Sequence, residues 1–188
     1  MLKLISAMVM LLGALSFNAQ AAYAESNDNL AGKKILIAYY SLSGNTQEVA
    51  EAIQKELGGD LFEIETIDAY PEIYKELSEQ AKREISAGYR PALKKNVENP
   101  AQYDIVFVGS PIWWGTIAPA VSSFLAANDL SGKTVIPFVT HSGGGVQNSV
   151  VDLQRQCHGC MVNENGWVGH GNRTFGIAGW LKELGFKE

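Results

Sequence analysis

The sequence is poor in features that mark whole classes of protein. It holds only two cysteines, Cys157 and Cys160, in 188 residues. Neither lies near the apolar N-terminal stretch, which excludes a lipid anchor on a cysteine there. No twin arginine accompanies that stretch, so an export route for folded chains finds no signal. No basic cluster is present, and 20 acids against 15 bases give a formal net charge of −5. Such a chain is a poor partner for nucleic acid. The G-x-x-x-x-G-K-[ST] loop is absent, as is the G-x-G-x-x-G dinucleotide fingerprint. There is no internal repeat and no linker that would divide the chain after its first segment. No general acid–base constellation is visible.

The first segment is set aside from the fold. Lys3 supplies a positive start, and residues 4–15 (LISAMVMLLGAL) form an apolar run too short for a bilayer span. Two A-x-A sites follow, at Ala19-Gln20-Ala21 and Ala22-Tyr23-Ala24. This is the pattern of a secretory signal peptide over residues 1–24, with the cut expected after Ala24. Its removal takes away one cation and no acid, and leaves no stable membrane anchor. The mature protein is therefore expected outside the cytoplasm, periplasmic or secreted, and any cofactor is acquired after export. In an oxidising compartment the pair Cys157-His158-Gly159-Cys160 reads first as a disulfide.

Residues 25–32 (ESNDNLAG) are a polar, flexible leader. From residue 33 to 188 strand and helix patterns alternate. Residues 34–40 (KILIAYY), 105–110 (IVFVGS) and 134–140 (TVIPFVT) are apolar runs of the kind that parallel strands buried on both faces show. Pro137 lies inside the last of them, so that strand is expected to be irregular. Residues 61–66 alternate like a strand, and 161–167 form a weaker one interrupted by Asn163 and Asn165. Helical spacing marks 46–57, 71–87, 118–127, 146–156 and 174–185. The order βαβαβαβαβα demands a parallel sheet with helices on both faces. Ligands of such sheets bind beyond the C-terminal strand ends, where the winding reverses.

Three loops meet at that edge. The first, Ser41-Leu42-Ser43-Gly44-Asn45-Thr46, opens a helix with three hydroxyls and an amide side chain. Unpaired N–H groups at a helix start can hold a phosphate without lysine or arginine. The plainer reading is a helix cap by Ser43, Asn45 or Thr46, but a cap needs only one such residue. The second loop, Ser110-Pro111-Ile112-Trp113-Trp114-Gly115-Thr116, places two tryptophans beside a glycine. One of them can pack inward while the other covers a flat ligand, and the sequence does not assign them. The third, Thr140-His141-Ser142-Gly143-Gly144-Gly145, lets backbone approach a ligand closely.

At these residues the chain resembles the flavodoxin family. Tyr39-Tyr40-Ser41 through Thr46, then Ala50, is similar to its FMN-phosphate signature, S-x-x-G-x-T-x-x-x-A, although Ala38 is smaller than the bulky residue usual there. The segment from Gly109 to Gly115 with Pro119 resembles the flavin-ring loop of short members. Thr140 with Gly143-Gly144-Gly145 resembles their third loop. The resemblance implies a flavodoxin-like three-layer sandwich with a five-stranded parallel sheet of order 2-1-3-4-5, which is the arrangement by which flavodoxin illustrates the switch-point rule. It implies FMN, its phosphate held by Ser41, Ser43, Gly44, Asn45 and Thr46. Pro111, Ile112, Trp113, Trp114 and Gly115 would line the ring, the Gly115 peptide turning toward it on reduction. Ser142, Gly143, Gly144 and Gly145 would face its pyrimidine side.

The chain departs from the family in two respects. Residues 111–116 and 141–145 contain no Asp or Glu, and His141 adds a donor or a cation. Acidic surroundings disfavour an anionic reduced flavin, so their absence implies easier two-electron reduction and tilts the function toward an FMN-dependent reductase. The second departure is the C-x-x-C pair, which falls where the fourth helix meets the fifth strand, far from the loops. A structural disulfide is the expected role. The leading function is an exported FMN protein that carries electrons to a redox partner protein or reduces a small quinone-like acceptor. The alternatives are a thiol–disulfide protein using Cys157 and Cys160, and a flavin-free binding module on the same fold.

Overall fold

The period-two alternation of the strands splits the apolar residues into two cores, one on each side of a sheet. In the computed structural model, which describes residues 32–186, β1 (Ile35–Tyr39), β3 (Ile105–Trp113) and β5 (Thr134–His141) form its centre. Ile37, Phe107, Ile136 and Phe138 point to one face, where Val49, Ala50 and Ile53 of α1 (Asn45–Leu57) and Ile177, Trp180 and Leu181 of α5 (Ile177–Glu183) cover them. Leu36, Ala38, Val106, Val108 and Val135 point to the other, under Val121, Phe124 and Leu125 of α3 (Pro119–Ala127) and Leu153 of α4 (Ser149–Gln156). This three-layer α/β sandwich is the arrangement the alternating pattern demands. The expected signal segment and nearly all of the leader lie outside the described residues. Among the described residues no helix is long and apolar enough to cross a membrane.

The parallel path runs β2 (Asp60–Glu63), β1, β3, β5, and then a fifth position shared by β6 (Met161–Val162) and β7 (Trp167–His170). A short antiparallel β4 (Thr116–Ile117) folds back on β3. The sheet therefore has seven strands rather than five, in the expected core order. The split has a local cause. The Asn163 N–H donates to the Val135 carbonyl at 2.8 Å. A parallel ladder would next have residue 137 donate back to Asn163, and a proline cannot. β5 itself stays continuous, and the irregularity expected from Pro137 falls on its neighbour. The Asn163 carboxamide oxygen accepts from the Asn165 N–H, and the Asn165 carbonyl accepts from Trp180 Nε1 at 2.8 Å, tying the break to α5.

Three helices begin later than their spacing suggests, α5 among them, at Ile177 rather than Thr174. α2 (Tyr74–Ala87) starts three residues after Pro71, with Ile73 exposed at its N-cap. α4 begins at Ser149 rather than Val146, because Gly145 (φ +68°) and Gln147 (φ +45°) leave helical space.

Candidate functional site

The start of α1 is where the first loop does its work. Gly44 stands at the N-cap with φ +85°, a left-handed conformation that glycine adopts without steric cost, and no side chain caps the helix. The capping role open to Ser43, Asn45 and Thr46 is therefore not taken. Asn45 Nδ2 instead donates to Ser43 Oγ at 3.2 Å. Ser41 Oγ is buried without a hydrogen-bond partner among the described residues. A helix start with unpaired N–H groups, positive partial charge and an orphaned hydroxyl nearby is chemically able to take an anion. Thr46 turns the other way: it is 1% exposed, and its hydroxyl lies 2.9 Å from that of Thr140, at the end of β5. That contact fastens the first loop to the third.

The second loop is a two-residue hairpin between β3 and β4. Trp114 (φ +49°) and Gly115 (φ +84°) both have the positive φ that a type I′ turn requires. Ser110 Oγ holds its root, accepting from the Ala118 N–H at 2.9 Å and donating to the Pro111 carbonyl at 2.8 Å. Pro111 and Ile112 are strand residues here, paired with Thr140 and Ile117. The tryptophans separate. Trp113 packs against the α3–α4 core, edge-on to Tyr40 (5.6 Å) and Tyr70 (5.0 Å). Trp114 is 55% exposed, donates from Nε1 to the Ser78 carbonyl of α2 at 2.9 Å, and has Lys82 Nζ 4.7 Å from its ring centre. Burial raises the phenol pKa of both Tyr40 and Tyr70, and Tyr70 also donates to the Glu84 carboxylate, so both stay neutral beside Trp113.

In the third loop the Gly143 N–H donates to His141 Nδ1 at 2.9 Å. A neutral His141 ring therefore carries its proton on Nε2. Its ring lies edge-on to His170, its partner in the β5–β7 register, with centres 5.6 Å apart. Ser142, Gly143 and Gly144 are exposed, and Gly145 is half-buried. Beyond them the chain crosses back to the second loop: the Asn148 N–H donates to the Gly115 carbonyl at 2.9 Å. The carbonyl of the residue whose peptide was expected to turn is thus engaged by the N-cap residue of α4. Gln147, which no sequence pattern singled out, places its amide between Gly115 and Gly144. Its positive φ could not be read from residue type, and the only trace of it in the sequence was two glycines on separate loops.

Cys157 and Cys160 form a disulfide, with Cα atoms 5.8 Å apart. It closes the turn between α4 and β6, beside Ser131 and Gly132, where the Gly132 N–H donates to the Gly159 carbonyl at 2.8 Å. This is the end of the sheet opposite the loops, since β5 runs about 23 Å from Thr134 to His141. Among the described residues no cluster of three or more His, Cys, Asp or Glu could hold a metal ion.

This arrangement has close counterparts among known proteins. Residues 34–184 match the family model described as Flavodoxin. The fold matches that of a Bacteroides eggerthii protein assigned as a flavoprotein, at 32% identity and a TM-score of 0.72, over 83% of this chain and all of that one. A Lactobacillus acidophilus flavoprotein, solved in complex with FMN, matches at 25% identity and 0.65, over 79% of this chain and 99% of its own. A WrbA-like flavodoxin of Agrobacterium tumefaciens shares the fold at 16% identity and 0.58, over 82% and 94%.

Proposed function

This chain belongs to the flavodoxin family, and from that premise we propose that it binds FMN non-covalently and transfers electrons through it outside the cytoplasm. The observation that carries this reading is the uncapped start of α1 with the orphaned Ser41 hydroxyl beside it. Ser41, Ser43, Gly44 and Asn45, with the backbone N–H of Thr46, fit a phosphate that a cap would otherwise exclude. When bound, FMN supplies the redox chemistry. The chain's part is to hold the phosphate at the first loop and to receive the ring between the second and third.

The surroundings of that ring favour a reductase of quinone-like acceptors over a pure carrier. Residues 111–116 and 141–145 hold no carboxylate, and Lys82 brings a cation to the second loop. Positive charge beside a site of developing negative charge lowers the energy of the charged form. His141 and His170 stand at the adjacent strand ends with their ring centres 5.6 Å apart. The electron donor is a redox partner protein or a reduced nicotinamide docking without a binding fingerprint. The thiol–disulfide alternative is disfavoured by position, because the disulfide closes a turn at the far end of the sheet, where Cys157 is buried.

Titration of the purified, flavin-free protein with FMN tests the reading. Absorbance and tryptophan emission are followed together. Saturable binding with quenched emission supports it. A folded protein that remains colourless with excess FMN refutes it and brings forward the flavin-free module, while a reductase of disulfides lost in Cys157→Ser would bring forward the cysteine pair.

A further inference from the structure

Gln147 stands where glutamine is costly. Among the described residues only Trp114 and Gln147 have positive φ without being glycine; Trp114 lies on the second loop and Gln147 directly follows the third. A glutamine holds such a conformation only where surrounding contacts impose it. The contacts are visible. A Cβ on Gly115 would lie 2.5 Å from Gln147 Oε1, and one on Gly144 would lie 2.3 Å from Nε2. The amide thus lies against both glycines, one on each loop. Nε2 donates to the Gly144 carbonyl at 3.3 Å within its own segment, and the following Asn148 N–H donates across to the Gly115 carbonyl at 2.9 Å. The backbone bond joins the two loops, and the Gln147 amide lies against both.

We propose, resting on the FMN reading above, that Gln147 is a positioning residue that fixes the separation of the second and third loops and hence the width of the slot that takes the flat flavin ring. It has no part in holding phosphate, which belongs to the start of α1 on the first loop. Shortening it therefore loosens the grip on the ring whether or not a phosphate is attached.

Gln147→Asn is the direct test. Asparagine keeps the amide and tolerates positive φ better than glutamine, but it is one methylene too short to span both loops. Gln147→Gly, which relieves the backbone altogether, is the second variant. Three quantities are measured: urea unfolding of the flavin-free protein, hydrogen exchange at the Asn148 amide, and affinity for FMN and for riboflavin, which lacks the phosphate. Unfolding midpoints should equal or exceed that of the unmodified protein, and the Asn148 amide should exchange faster. Affinities for FMN and riboflavin should fall by the same factor, about tenfold, as expected for one lost positioning hydrogen bond. The proposal is overturned if both variants bind as tightly as the unmodified protein. It is equally overturned if FMN affinity alone falls, or if stability falls with affinity in both variants. An unmodified protein that binds neither flavin would remove the FMN reading and this inference together, whereas normal binding by all three proteins would remove the inference alone.

Discussion

Thr46→Val should destabilise the protein, and adding Thr140→Val should restore most of the loss. The two hydroxyls lie 2.9 Å apart, on residues that are 1% and 3% exposed. Valine matches threonine in shape and exchanges the hydroxyl for a methyl group. Either single change leaves one buried hydroxyl without that partner, which costs about 1–3 kcal/mol. The double change removes the orphan, and two apolar groups of the same shape in contact are nearly neutral. The four proteins form a double-mutant cycle, read by urea unfolding with circular dichroism and with equal slopes across the set. The account requires a coupling of at least about 1 kcal/mol. Simple addition of the two single effects to within about 0.5 kcal/mol would refute it, since the hydroxyls would then not depend on each other.

Reduction of the Cys157–Cys160 disulfide reopens a four-residue loop and should cost roughly 2 kcal/mol, or about 4–8 °C in Tm, with FMN affinity unchanged; calorimetry with and without reductant checks both. Trp113→Ala, which removes a ring packed on Tyr40 and Tyr70, should cost roughly 3 kcal/mol, whereas Trp114→Ala, at a largely exposed site, should cost roughly 1 kcal/mol. The reverse order in thermal unfolding would contradict the assignment of the two tryptophans. Burial keeps the Tyr40 and Tyr70 phenols protonated above the ordinary value of 10.0, and pushes Tyr39 up to about 12. The unfolded chain begins to lose these protons near pH 10 while the folded one keeps them. Stability from this source is therefore full below pH 10 and falls above it, by up to about 1.4 kcal/mol per pH unit for each phenol. Tyr40→Phe combined with Tyr70→Phe should flatten that alkaline decline in urea unfolding, and an unchanged slope would argue against it.

What the sequence made legible was what periodicity and residue type encode. The three central strands are continuous apolar runs because both their faces are covered, and the loops at their C-terminal ends carry the residues that a phosphate and a flat ring need. The division of the fifth strand was visible only as two interrupting asparagines, since its cause lies on the neighbouring strand, in the N–H that Pro137 lacks. The late start of α4 was hidden because Gln147 has ordinary helix propensity, and tertiary contact overrides it. The two tryptophans are adjacent and alike in type. Only the type I′ turn, with its reversal between β3 and β4, sends one into the core and the other onto α2. Gln147 itself carries no pattern, because its role depends on reach between two loops that the chain brings together only when folded.

The central claim is that the start of α1 holds a phosphate. Amide shifts of ¹⁵N-labelled protein test it residue by residue during titration with FMN and, separately, with riboflavin. The account predicts that the N–H signals of Gly44, Asn45 and Thr46 move strongly with FMN and little with riboflavin, while Gly115 and Gly144 move with both. Binding of FMN that leaves the Gly44, Asn45 and Thr46 amides in place would contradict it.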